Sequence, residues 1–128
     1  MPGKVVDASI MGAIAFQEAE ATDAMRLVSG VALYAPSLLK YELTSIARTK
    51  ATQAPADRSL IEINLAAALA TAVQVVDVDY VRVLQLALQN GLSTYDCSYL
   101  DVALTLGMPL ATFDQKLAAA AGRYGLLP

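Results

Sequence analysis

Two short apolar runs in this chain end in an aspartate that opens a helix, and that repeated joint restricts the fold more than any other feature. The first is Lys4–Val6, followed by Asp7 and a helix-forming run from Ala8 to about Phe16. The second is Pro109–Thr112, which feeds Asp114 and a helix over Gln115–Gly122. Short strands alternating with helices predict an α/β fold: a mainly parallel central sheet of about four to five strands flanked by helices. Open sheets of this kind bind ligands in the crevice outside the carboxyl ends of their strands. If the two strands are neighbours, Asp7 and Asp114 stand side by side at that edge. Aspartate is also a preferred N-cap residue, so capping alone is the competing explanation for either joint taken singly.

The remaining segments keep the alternation. Ala21–Val28 reads as a helix with Thr22 as its cap, ended at Ser29-Gly30, and Val31–Tyr34 as a second strand. Pro36 is suited to open the helix Ser37–Thr49. On that helix Glu42 lies along the stripe of Leu38, Leu39 and Ile46, where a carboxylate is costly to bury unless paired or bound to metal. Lys50–Ala56 reads as a loop, Pro55 to about Ala72 as an Ala-rich helix, and the β-branched run Val73–Val78 as a third strand. Asp79 then caps Tyr80–Asn90, with Gly91 as the stop, which leaves Asp77 and Asp79 as structural acids. A capped helix starts at Thr94 and closes at Gly107, and Leu126-Leu127 is expected to add a short last strand. Glu18 and Glu20 fall in a connection and read as solvated.

A chain of 128 residues is expected to form one domain, 1–128, with a core that needs no disulfide or structural metal. Cys97 is the one cysteine and falls inside a helix, so it reads as a small core residue, and a reducing cytoplasmic setting is expected. Hydrophobic residues make up 56% of the sequence, yet polar residues break every apolar run well before the about 18 positions a membrane span needs. The N-terminus enters a strand directly, so no signal peptide is expected. The surplus of apolar residues implies self-association. The net charge of −3 argues against a general basic surface for nucleic acid. Acids that converge on a divalent cation would reverse that local balance. Histidine is absent, which excludes His-based acid–base chemistry and leaves oxygen ligands, a set suited to magnesium or manganese rather than zinc.

Four segments in order carry a resemblance: Val5-Val6-Asp7-Ala8-Ser9, Ala35-Pro36-Ser37-Leu38-Leu39-Lys40-Tyr41-Glu42, Tyr95-Asp96-Cys97-Ser98-Tyr99-Leu100 and Leu110-Ala111-Thr112-Phe113-Asp114. Together they resemble the PIN-domain nucleases, and the chain's size is similar to VapC-type toxins of toxin–antitoxin pairs. The resemblance implies a metal-dependent endoribonuclease in which Asp7, Glu42, Asp96 and Asp114 hold one or two Mg2+ or Mn2+ ions. It places the hydroxyls of Ser9 and Thr112 beside the acids, where they orient carboxylates or water, or serve only as cap and strand packing. Asp101 lies about 140° round its helix from Asp96, so it is expected in a second shell or in solvent. Lys40, Arg48, Lys50 and Lys116 are candidates for RNA phosphates, Lys40 and Lys116 foremost. Tyr41, Tyr95 and Tyr99 are candidates for base stacking, with core packing as the ordinary alternative. The resemblance further implies a homodimer and a small antitoxin that lays an apolar segment over the groove and offers a basic side chain to the acids. A housekeeping PIN ribonuclease without antitoxin, a non-catalytic PIN-like RNA or protein interaction module, and an unrelated doubly wound domain whose acids are caps are the competing readings.

Overall fold

The computed structural model describes residues 2–128. In chain order its elements are β1 (Gly3–Val6), α1 (Ala8–Ala15), α2 (Ala21–Val28), β2 (Ala32–Ala35) and α3 (Leu38–Gln53). A 3-10 turn (Pro55–Asp57) leads to α4 (Arg58–Leu69), then β3 (Val73–Val75), α5 (Tyr80–Asn90), α6 (Thr94–Leu106), β4 (Leu110–Ala111) and α7 (Gln115–Arg123). The strands form one four-stranded sheet in the order β3-β2-β1-β4, and every pairing is parallel. The chain first builds outward from β1 through β2 to β3, and only later adds β4 on the other side of β1. That reversal lies between β1 and β4, where Val5 pairs with Leu110 and Val6 with Ala111. The crevice of an open parallel sheet forms at such a reversal, and Asp7 and Asp114 follow the two strands that flank it.

The sheet is a buried core layer: Val5, Val6, Ala35 and Ala111 are fully covered. Helix α6 is buried along Cys97–Ala103, so it packs as a central helix rather than as a surface one. Its ends are set locally. Gly107 sits at φ +62°, the left-handed conformation that closes a helix and that glycine adopts without a Cβ clash. At the start, the hydroxyl of Ser93 accepts from the amide of Asp96, so the cap is Ser93, one position earlier than the expected Thr94, which is the first helical residue.

Several other expectations need correcting. Thr22 is inside α2, whose N-cap position is held by Glu20 without a side-chain bond. The expected loop at Lys50–Ala56 is mostly helix: α3 runs on to Gln53, because Lys50 pairs with Glu18 at 2.9 Å and its ammonium lies over the Phe16 ring. Glu18 is therefore paired, not merely solvated. Strand β3 stops at Val75 rather than Val78, since its partner β2 ends at Ala35 and the next residue, Pro36, has no amide proton to extend the ladder. Leu126 accepts one bond from the amide of Leu110 but forms no strand, because its own amide closes α7 on the carbonyl of Ala121. The sheet consequently has four strands.

Candidate functional site

Asp7 leaves the end of β1 in an extended conformation and caps α1. Its Oδ1 accepts from the Ser9 amide (3.1 Å), the Ser9 hydroxyl (2.6 Å) and the Ile10 amide (3.2 Å), and its Oδ2 accepts from the Thr112 hydroxyl. Only 6% of Asp7 is exposed. Burial raises its pKa above the ordinary carboxylate value, and the bonds from Ser9, Thr112 and the two amides oppose that rise. The two hydroxyls do more than satisfy the acid. Ser9 Oγ also accepts from the Phe113 amide (2.9 Å), and Thr112 Oγ1 accepts from the Asp114 amide (3.0 Å). Each hydroxyl thus donates to Asp7 and accepts from the β4–α7 joint, which fixes the two strand ends to each other.

Glu42 enters from α3, half-buried, and its Oε1 accepts from the phenol of Tyr99 on α6. Burial raises its pKa first, the Tyr99 bond opposes this, and the charges of Asp96 and Asp7 raise it further. Asp96 lies in the first turn of α6. Burial raises its pKa, the charge of Asp114 adds to the rise, and the Ser93 bond opposes it. Asp114 caps α7 by accepting from the Leu117 amide at 2.8 Å. The four acids are thereby linked in a series of repulsions, Asp7 to Glu42 to Asp96 to Asp114. Tyr99 is buried among them, and its own pKa is driven strongly upward by burial and by Glu42, Asp7 and Asp96.

Such a series favours a divalent cation on its donor chemistry: every member offers oxygen, and like charges brought together are relieved by a cation. Among the described residues, however, no three Asp, Glu or Cys side chains stand close enough together to hold one ion as they are placed. Asp7 is locked by its bonds, whereas Asp114 is exposed and Glu42 and Asp96 are only partly covered, so the movable members are the outer three.

The other anticipated residues divide. Asp101 is fully buried, which overturns a place in solvent. Its carboxylate accepts from the Asp79 amide (3.0 Å) and from Arg82 Nε (2.5 Å), and none of the four acids is among these partners. It clamps α6 to the start of α5, where Asp79 caps by accepting from the Arg82 amide. Its spacing from Asp96 had signalled a different face, but nothing local pointed to Arg82. Lys40, Arg48 and Lys116 are exposed, while Lys50 is engaged by Glu18. Tyr99 is core, but Tyr41 and Tyr95 are 77% and 64% exposed, against the ordinary expectation for aromatics on helices. The bond from Tyr99 to Glu42 was missed; an i+3 step from Asp96 on one helix was the signal available for it.

A family model described as the PIN domain matches residues 4–123, and the chain belongs to that family. Its fold is similar to that of PAE2754 from Pyrobaculum aerophilum, with 25% sequence identity and a TM-score of 0.74 over 93% of this chain and 84% of that one. It is also similar to that of VapC20 from Mycobacterium tuberculosis, a sarcin-ricin loop cleaving toxin, at 19% identity and a TM-score of 0.65 over 91% of this chain and 94% of that one. No curated protein matches the sequence.

Proposed function

We propose that this PIN-domain protein is a divalent-metal-dependent endoribonuclease of the VapC toxin type. The observation that carries the reading is the series of carboxylates delivered by four different elements to one end of the sheet: Asp7, Glu42 and Asp96, each partly desolvated, and the exposed Asp114, whose charge acts on Asp96. These four residues would hold one or two Mg2+ or Mn2+ ions, which when bound supply a Lewis acid for a phosphoryl oxygen and activate water. The chain's own residues prepare that chemistry. Ser9 and Thr112 orient Asp7 and brace it against Asp114, and Tyr99 aims one oxygen of Glu42. Lys40 and Lys116 are suited to RNA phosphates, and their small number predicts salt-sensitive binding with a preference for single-stranded loops. We place the protein in the cytoplasm as one domain over 1–128, a homodimer restrained by a small antitoxin. No helix among the described residues is long and apolar enough to cross a membrane.

The test is cleavage of a pool of structured RNAs with manganese, magnesium or chelator, using wild type, Asp7→Asn and Asp96→Asn. Metal-dependent cuts at discrete sites that both folded variants lose support the reading. A short upstream reading frame with a DNA-binding pattern would favour a toxin over a housekeeping PIN ribonuclease. One observation favours a second reading, a non-catalytic RNA or protein interaction module: no three of the acids are grouped tightly enough for one ion as placed. That reading predicts metal-independent binding that survives Asp96→Asn.

A further inference from the structure

Beside the acids lies a groove of about 280 Å³ that the reaction just described does not use. It opens outside the carboxyl ends of β2 and β3, where Pro36 and Val76 line it, while the acids follow β1 and β4 along the same sheet edge. Three tyrosines line it, one each from α3, α5 and α6, and all three are largely in solvent: Tyr41 at 77%, Tyr80 at 80% and Tyr95 at 64%. Two of them directly precede site acids, Tyr41 before Glu42 and Tyr95 before Asp96, so the groove and the acids are within one residue of each other on both helices.

We propose that this groove binds an unpaired RNA base, guanine by preference, and so holds the strand with a neighbouring phosphate over the acids. The inference rests on the RNA-cleaving reading above and names its substrate contact. The aromatic set fits the task, since stacking between rings holds a base of any sequence in a water-accessible slot. Preference comes from Asp77, the charged group in the lining. A carboxylate only accepts hydrogen bonds, so it favours a base edge with adjacent donors, and the N1–H and amino group of guanine present two side by side. The volume is at the small end of ligand sites, enough for one planar group. Lys40 lies on the far side of Tyr41, where both line a shallower depression, and offers a cation to the phosphate on that side of the base. A protein partner is better served by the exposed apolar residues Val81, Leu84 and Leu88 on α5.

The test uses fluorescein-labelled, 2′-O-methylated trimers that cannot be cleaved, UGU, UAU, UCU and UUU, followed by anisotropy with wild type, Tyr80→Ala, Tyr95→Ala and Asp77→Asn. All three substituted side chains are exposed, so the variants should fold. The expectation is tightest binding of UGU, a loss of roughly ten-fold or more for each tyrosine variant, and a loss of the preference for UGU over UUU in Asp77→Asn. Equal affinity of wild type and both tyrosine variants would overturn the proposal. So would a tyrosine variant that changes the sedimenting mass while binding trimers as before, since the groove would then be a protein interface. If trimers bind as expected but wild type cleaves no RNA with manganese, the base site stands and the nuclease reading falls. If RNA is cleaved with metal while trimer binding ignores the groove variants, the nuclease reading stands and the groove falls.

Discussion

The phenol of Tyr99 on α6 donates a 2.5 Å hydrogen bond to Oε1 of Glu42 on α3, across 57 residues of sequence. Tyr99 is 1% exposed, and the surrounding acids keep its proton on the ring oxygen, so it acts as a fixed donor. Tyr99→Phe keeps the packing and removes the bond. Glu42 then loses the contact that opposes the rise in its pKa. Chemical denaturation should show a loss of about 1 kcal/mol, the usual worth of one such bond at a half-exposed partner. RNA cleavage should fall more than the affinity for uncleavable RNA does. An unchanged rate would remove Tyr99 from the positioning of Glu42.

Thr112 joins Asp7 to the amide of Asp114. Thr112→Val is nearly the same shape but leaves Oδ2 of Asp7 without its donor and the Asp114 amide without its acceptor. Outer partners of this type are worth about 10- to 100-fold in metal affinity or activity. Manganese titration followed by thermal shift should therefore show weaker binding in the valine variant, whereas Thr112→Ser should restore it.

The buried pair of Asp101 and Arg82 is a structural contact with a large expected cost when broken. Asp101 is fully covered, and Arg82 is 40% exposed on its side chain. Asp101→Ala leaves Nε of Arg82 and the Asp79 amide without their acceptor, while Nη2 of Arg82 keeps the Thr105 hydroxyl. Loss of one partner of a buried pair costs roughly 3–5 kcal/mol, and the exposure of Arg82 points to the lower end. Thermal unfolding should show a melting temperature lower by roughly 10 °C. Activity per folded molecule should be preserved below that temperature, and loss of activity without loss of stability would argue against this assignment.

Without divalent metal, Glu42 and Asp96 have pKa values raised in the folded state. The native protein then binds more protons than the unfolded chain between the unfolded and folded pKa values. Their contribution to stability is full below the unfolded values and is lost as pH rises through the folded ones. In chelator, Glu42→Gln should thus be more stable than wild type at neutral pH, with the difference shrinking towards pH 4. The amide oxygen can still accept from Tyr99. Added manganese should stabilise wild type more than the variant, and a pH-independent difference would count against the desolvation account.

Much of the fold was legible because its signals are local. Helices Ala21–Val28 and Tyr80–Asn90 fall where the sequence places them. Gly91 and Gly107, at φ +63° and +62°, stop their helices as expected. Boundaries failed where a distant partner decided them, as at Lys50, whose bond to Glu18 accompanies the longer α3, and at Leu126, whose amide closes α7. The four acids were picked out by motif, with Ser9 and Thr112 beside them, but the bond from Tyr99 to Glu42 was not. The order β3-β2-β1-β4 is what brings Thr112 to Asp7 across 105 residues.

By itself the sequence determined the alternation of strands and helices, the aspartates at two strand-to-helix joints and an all-oxygen donor set without histidine, since each depends on residue type and short spacing. Tertiary structure alone decided that Asp101 is buried against Arg82, that Tyr99 holds Glu42, and that Tyr41, Tyr80 and Tyr95 surround one groove. Those relations join residues 15 to 57 positions apart. They are set by strand order and helix packing, where burial and charge act between side chains that no local pattern brings together.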